Sequence, residues 1–398
     1  MVVQTQQLQS SALKFIFVLG FVSLCADATY EGARSITGAY LGFLGASGTV
    51  VGLVAGLGEL IGYGLRLVIG YMSDRTQKYW LITTLGYFLN TAVVPLLAFA
   101  GRWEVAAGLM ISERVGKAIR TPPRDVLLSH AAIKVGKGFG FGLHEAMDQT
   151  GAVIGPLAVA AMLYWQQGYQ GGFKILAIPA ILGLIVVLIA QVLYPNPREF
   201  EDETVAIKQE GEGLPKIFWI YLAAVALIAA GFADFPLIAL HFQQEIHIDP
   251  NAIALLYALA MGVDAVAALI FGRLFDWIGI NVLMVAALIS AGFAPAIFLG
   301  NSNLILLGMI FWAIGMGAQE SVLKAVVAGL VPIERRGSAY GIFNTGYGLA
   351  WFAGSAIMGI LYDVNMAWLV GFSVFFQLAS IPVLFIVSRQ ASKSIHNG

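Results

Sequence analysis

The sequence predicts an all-helical integral membrane protein that crosses the bilayer twelve times, as two six-helix bundles related by a parallel pseudo-two-fold repeat. Composition, the spacing of apolar segments and an internal repetition of charged residues each point there. Of 398 residues, 59% are hydrophobic and 11% charged, against roughly 25% charged in a soluble domain. A span needs about 20 largely apolar residues, so the chain holds about twelve crossings with short loops and no sizeable soluble domain.

The apolar segments run over 13–42, 48–71, 80–100, 103–122, 138–165, 171–194, 216–240, 250–274, 281–299, 303–327, 338–361 and 366–388. One long polar stretch interrupts them, Pro195 to Pro215, rich in Glu199, Glu201, Asp202, Glu203, Glu210 and Glu212. The expected organisation is therefore an N-terminal bundle over 1–194, a linker over 195–215 and a C-terminal bundle over 216–398. Met1 to Ser11 is polar without a charged leader region, and the apolar run beyond it has no small-residue cleavage site, so it reads as a retained first helix. Cys25 is the single cysteine, which excludes disulfides and cysteine-based metal sites. A net charge of −1 gives nucleic acid no electrostatic footprint. No cofactor or metal is expected, and the partners are a small solute, a coupling ion and the lipid bilayer around a monomer.

Basic residues fix the orientation, because positive loops stay cytoplasmic. With the N-terminus inside, the inner segments hold Lys14, Arg75, Lys78, Arg120, Arg124, Lys134, Lys137, Arg198, Lys208, Lys216, Arg273, Arg335, Arg336, Arg389 and Lys393. The outer loops hold Arg102 and Lys174. Both termini and the linker are thus expected in the cytoplasm, in a plasma (inner) membrane. Tyr79, Trp80, Trp103, Tyr164, Trp165, Trp219, Trp277 and Trp368 fall near helix ends, as interfacial anchors.

The two halves repeat one another. Asp27 and Arg34 on segment 1 return as Asp234 and His241 on segment 7, and Gly70-x-x-x-Asp74 returns as Gly272-x-x-x-Asp276. Glu113-x-x-x-Lys117-Ala118 on segment 4 returns as Glu320-x-x-x-Lys324-Ala325 on segment 10, and Lys137-Gly138-x-x-Phe141-Gly142 as Arg336-Gly337-x-x-Tyr340-Gly341. Four matches in one order argue for a duplicated unit, and an even number of crossings makes the repeats parallel.

A duplicated six-helix unit with a cytoplasmic central loop resembles the major facilitator superfamily, and the resemblance covers essentially the whole chain. Gly70-Tyr71-Met72-Ser73-Asp74-Arg75-Thr76-Gln77-Lys78 is similar to that family's loop between helices 2 and 3. There the glycine implies close helix approach, and the aspartate and basic residues a charge–dipole latch between halves. Gln77 stands where the family usually has glycine, and Tyr79 where it has a basic residue. Gly151-Ala152-Val153-Ile154-Gly155-Pro156 on segment 5 is similar to the signature of proton-driven drug and metabolite exporters, with Val159-Ala160 in place of a glycine pair. The stretch Arg120-Thr121-Pro122-Pro123-Arg124-Asp125, read as the cytoplasmic end of segment 4, resembles a subgroup of bacterial members of no assigned substrate.

Ionisable residues lie inside the expected helices: Asp27, Glu31, Arg34, Glu59, Arg66, Glu113, Arg114, Lys117, Glu145, Asp148, Asp234, Asp264, Glu320 and Lys324. At ~3 kcal/mol each at the bilayer centre they cannot face lipid. Asp27, Glu31 and Arg34 share one stripe of segment 1 at i, i+4 and i+7. Glu113 with Lys117, and Glu320 with Lys324, are i,i+4 pairs in the favoured acid-then-base order, expected to face each other across a central cavity. Ion pairs that merely pin helices are the plainer reading, and for Glu59, Arg66, Glu145, Asp148 and Asp264 the structural or gating reading is preferred. His241 reads as an interfacial polar tip, and His130 and His144 carry no clear signal. Tyr340, Phe343, Tyr347 and Trp351 form one stripe of segment 11 that reads as packing or lipid contact, with substrate stacking the lesser alternative.

These features predict a secondary active transporter, not an enzyme, moving a small organic solute by alternating access in proton-coupled efflux as an antiporter. No nucleotide-binding loop occurs, and no catalytic constellation of usable spacing. Desolvated acids can bind protons while a neighbouring cation opposes this. Asp27, Glu31, Glu113, Asp234 and Glu320 are the candidates, Asp27 and Asp234 foremost because both halves keep an acid there. Uptake of a metabolite or organic anion held by Arg34, Lys117 and Lys324 is the alternative, with a non-transporting sensor or scaffold behind it. The substrate and proton pathway is thus Asp27, Glu31, Arg34, Glu113, Lys117, Asp234, Glu320 and Lys324. The gating motifs are Gly70, Asp74, Arg75, Lys78, Gly151, Gly155, Pro156, Gly272 and Asp276.

Overall fold

A computed structural model describes residues 2–135, 137–165, 168–196, 213–300, 302–331 and 336–396, so 197–212 of the expected linker lie outside the described residues. The helices are α1 (Val2–Phe43), α2 (Gly48–Thr76), α3 (Tyr79–Ala92), α4 (Trp103–Val135), α5 (Lys137–Tyr164), α6 (Gly168–Ile175), α7 (Ala177–Leu193) and α8 (Lys216–Ala230). They continue with α9 (Phe235–Gln244), α10 (Pro250–Ile278), α11 (Asn281–Ser290), α12 (Phe293–Phe298), α13 (Ser302–Leu330), α14 (Arg336–Val364) and α15 (Met366–His396). A 3₁₀ turn at Pro95–Phe99 prolongs α3. Joining α6 to α7, α8 to α9 and α11 to α12 gives twelve passes. Eleven are long and apolar enough to cross a membrane on length and hydropathy; the other, α4, carries Glu113, Arg114, Lys117, Arg120 and Arg124.

The interruptions have local causes. The third pass breaks before Pro95 and the ninth before Pro295, at matching places in the two halves. A ring nitrogen carries no hydrogen for the helix ladder. The seventh breaks over Gly231–Asp234, with Pro236 opening α9, so Asp234 stands on unwound backbone while Asp27 lies mid-helix. Segment 4 departs from the expected end at Pro122: α4 runs through Pro122 and Pro123 to Val135. Packing outweighs two missing backbone bonds here, because the α4 backbone is pressed onto α3. A Cβ added at Gly86 would collide with the Arg120 backbone, and one at Gly116 with that of Asn90.

The chain forms two compact units. The first holds the described residues of 1–36, 65–207 and 250–258, the second those of 37–64, 208–249 and 259–398. In the first, a core of Phe15, Ile16, Leu19, Val22, Tyr79, Trp80, Leu127 and Leu128 lies at the shared ends of α1, α3 and α4. Trp80 is buried in it and donates to the Tyr194 carbonyl at 2.9 Å, an inward setting for a residue expected at the interface. Gly151 and Gly155 bring α5 onto the α1 backbone at Leu24 and Ala28. In the second unit the ends of α1 and α2 pack at Gly38, Gly48 and Gly52 against Pro236, Tyr362, Ser355 and Gly359. There Asp363 caps α2: its carboxylate accepts from Gly48 N at 2.8 Å and from Thr49 N at 2.7 Å and Oγ1 at 2.6 Å. Bare N–H groups at a helix start favour such an anion.

At the α2–α3 turn, Gln77 has φ 58°, the left-handed region that favours glycine, which accounts for the glycine common in the family at this place. A Cβ at Gly70 meets Pro122 at an ordinary 3.8 Å, and one at Gly272 meets Ser321 at 3.9 Å. Close approach does not require glycine at either position in this structure.

Gly155→Ala is expected to lower stability by ~1–3 kcal/mol, because the α1 backbone must give way. Gly108→Ala, exposed on α4 with nothing within reach of a new methyl, is expected to raise it by ~0.4–1 kcal/mol. Thermal unfolding of the purified variants checks both signs.

Candidate functional site

The first unit carries a continuous polar column along α1 and α4. The Asp27 carboxylate accepts from Arg120 Nη2 at 3.2 Å on one oxygen and from Tyr30 OH at 3.0 Å on the other. Arg120 is 1% exposed, with its guanidinium over the Tyr87 ring at 4.6 Å. Lys117 Nζ donates to the Tyr30 hydroxyl at 2.7 Å, so this phenol links an acid to a lysine. One turn on, Glu31 accepts from Tyr257 OH at 2.5 Å and lies 3.9 Å from Arg34. Glu113 accepts from Asn90 Nδ2 at 2.7 Å and pairs with Arg114 at 3.4 Å.

The expected Glu113–Lys117 ion pair is therefore not what forms. Tyr30 draws Lys117 towards α1, while Asn90 on α3 and the adjoining Arg114 hold Glu113. Arg120, read as a cytoplasmic-side cation at the end of segment 4, is the buried partner of Asp27. The continuation of α4 beyond Pro122 puts it there.

In the second unit, Asp234 is 2% exposed and its Oδ2 accepts from Trp351 Nε1 at 2.9 Å and Ser355 Oγ at 2.7 Å. Trp312 donates to the Ala233 carbonyl at 2.9 Å, fixing the unwound stretch before α9. Phe343, Tyr347 and Trp351 are buried, which excludes lipid contact for them. Tyr347 also donates to Gln319 at 3.0 Å, and Tyr340 to the Lys324 carbonyl at 3.1 Å. Glu320 and Lys324 lie on an exposed face of α13. His241 is 4% exposed among Phe298 and Tyr362, so it is an aromatic-packed side chain and not the interfacial tip expected. Its helix is short, and the ends of α12 and α14 cover it.

Asp74, Arg75, Lys78 and Asp276 are exposed. The Asp74 carboxylate accepts from Tyr79 OH at 3.4 Å, and Gln77 Nε2 donates to the Asp74 carbonyl. Pro156 lies inside α5, one residue beyond the contact of Gly155 with α1. The structure thus brings together Asp27, Glu31, Arg34, Glu113 and Lys117, with Asp234, Glu320 and Lys324 in the other unit. It adds Tyr30, Tyr87, Asn90, Arg120 and Tyr257; of these, Tyr30 at i+3 from Asp27 and Arg120 at i+3 from Lys117 share the charged stripes, and the others carried no such signal.

Twelve helical passes, with ion pairs held inside a helical unit, define a polytopic membrane protein of the solute-carrier class. Sequence comparison makes the class specific: the profile of the Major Facilitator Superfamily matches residues 16–235 and 220–397, and the chain belongs to that family of secondary transporters, which are not enzymes. An uncharacterised protein of Mycobacterium tuberculosis is 41% identical over 382 residues, covering 95% of this chain and 93% of that one. A multidrug resistance protein of Proteus mirabilis is 30% identical over 123 residues, 31% of this chain and 30% of that one. Among solved structures, a bacterial homologue of the human lysosomal transporter Spinster, inward-facing and unoccupied, superposes with a TM-score of 0.72. It has 14% identity and covers 96% of this chain and 98% of that chain, a likeness of fold.

Removing one member of a buried pair strands the other. Arg120→Met alone is expected to cost ~3–5 kcal/mol, and Arg120→Met with Asp27→Asn to recover most of it. Unfolding of the two variants side by side measures the difference, and equal losses would show that Asp27 is not the partner that matters.

Proposed function

We propose that this transporter exports a small cationic or zwitterionic organic solute in exchange for protons, by alternating access, as a monomer in the plasma (inner) membrane. Both termini and residues 195–215 are cytoplasmic, and the duplicated halves 1–194 and 216–398 are its functional domains. One observation carries the reading: Asp27 is a buried acid bound at once to a guanidinium and to a phenol that itself holds a lysine. A proton on Asp27 releases Arg120 and Tyr30, and a solute cation competes with that proton for the same carboxylate. The Gly151–Pro156 stretch and the partial similarity to a multidrug resistance protein support export.

A specific observation favours the second reading, uptake of an organic anion. Arg120 Nε and Nη1 are buried without a hydrogen-bond partner among the described residues, and donors of this kind suit a carboxylate.

Thermal-shift measurements with tetraphenylphosphonium as cation and benzoate as anion separate the two. Proton competition at Asp27 makes cation stabilisation grow as pH rises, by at most about tenfold in affinity per pH unit, and Asp27→Asn removes that slope. Stabilisation by benzoate that grows as pH falls selects uptake. Reporter tags at the N-terminus, within 200–212 and at the C-terminus are all expected to read cytoplasmic; a tag within 200–212 reading outside overturns the topology.

A further inference from the structure

Helix α5 holds a further, partly buried acid that the reading above does not use. His144 and Asp148 are one turn apart, with Nδ1 3.5 Å from Asp148 Oδ2. Arg124 Nη1 approaches the same oxygen at 3.7 Å. The guanidinium is committed elsewhere: its Nε and Nη2 donate to Asp125 Oδ1 at 2.9 and 2.7 Å, and Nη1 donates to Ser23 Oγ at 3.2 Å. Ser23 in turn is 2.9 Å from the Tyr87 hydroxyl, beneath Arg120. Two atoms of the pair, His144 Nε2 and Asp148 Oδ1, are buried with no hydrogen-bond partner among the described residues. His144 is 3% exposed overall.

An ordinary structural ion pair would satisfy those atoms, because buried polar groups in folded proteins are nearly always bonded. Here Arg124 meets two carboxylates and neutralises one. Asp125, with a side chain 45% exposed, keeps its charge in solvent and takes both strong bonds. Asp148, 14% exposed, is the carboxylate in excess. Protonating it strands no cation, whereas a proton on Asp27 removes the acid partner of Arg120. The charged groups facing Asp148 are Asp27 from α1, Arg120 and Arg124 from α4, and Glu145 from its own helix. Helix α6 meets α5 further on, with Gly172 against Val159 and Leu163.

We propose that His144 and Asp148, steadied by Arg124, form a proton-binding site in series with Asp27, between α4 and α5 and about two to three turns from the turn that joins them. This rests on the proton-coupled reading and supplies its path: under the proposed topology the site lies on the cytoplasmic side. The transfer is a relay. A proton arrives at Nε2 of the neutral imidazole as Nδ1 passes its own proton to Asp148 Oδ2. The ring ends neutral in its other tautomer, the carboxylate ends as the acid, and one positive charge has been taken up. Asp27 and Asp148 face the same two arginines, so protons on the two acids are coupled.

The test uses the purified full-length protein in lipid nanodiscs, with the proton alone as ligand. Infrared difference spectra across a pH titration read the carbonyl stretch of protonated carboxyl groups. The expected result is a titrating component that Asp148→Asn deletes and Asp27→Asn leaves in place, with a midpoint displaced by about one pH unit or more in His144→Gln. Should Asp148→Asn fail to fold, Asp148→Glu retains the acid and must move both band and midpoint. A component unchanged in the Asp148 variants, or deleted only by Asp27→Asn, overturns the His144–Asp148 site and leaves the Asp27 reading standing. No titrating component at all overturns both.

Discussion

A charged side chain inside a membrane must be met by another polar group, and the first unit is organised around meeting Arg120. The arginine is wholly buried, so Asp27 on α1 and the face of Tyr87 on α3 must both reach it. Around it, helices come to nearly backbone contact in two pairs. Gly86 and Gly116 let α3 lie on α4, and Gly151 and Gly155 let α5 lie on α1. The remaining charges then pair outward along the column, with Tyr30 as the bridge between the Asp27 and Lys117 groups.

The duplication kept the acid and changed its surroundings. Asp27 sits mid-helix and takes a guanidinium and a phenol, while Asp234 precedes a broken helix and takes an indole and a hydroxyl. An arginine holds an acid ionised through its charge. The symmetry of sequence is therefore not a symmetry of chemistry.

How much was legible in the sequence follows from the range of each cause. The twelve passes were readable because span length is a property of one contiguous segment, and the repeat because it needs no geometry. The end of α4 was not, because proline acts locally while the close α3–α4 contact that carries the helix past Pro122 and Pro123 is tertiary. Arg120 was therefore counted among the cytoplasmic cations, although it is buried against Asp27. Tyr30, Tyr87 and Tyr257 were not singled out, since only the fold shows that their hydroxyls meet acids, a lysine and a serine. The reversed setting of Gln77 was foreshadowed by the glycine that relatives of this fold carry there.

Cys25 lies at 2% exposure in α1, with its Cβ 3.0 Å from where a side chain on Gly183 would begin. A thiol in that position is shielded from water-borne reagents, and the chain has no other. The native sequence is therefore already a clean background for site-directed labelling. A cysteine introduced at any exposed position can be modified selectively with a spin label or fluorophore, without first stripping out natural thiols and without disturbing the helix that carries Asp27.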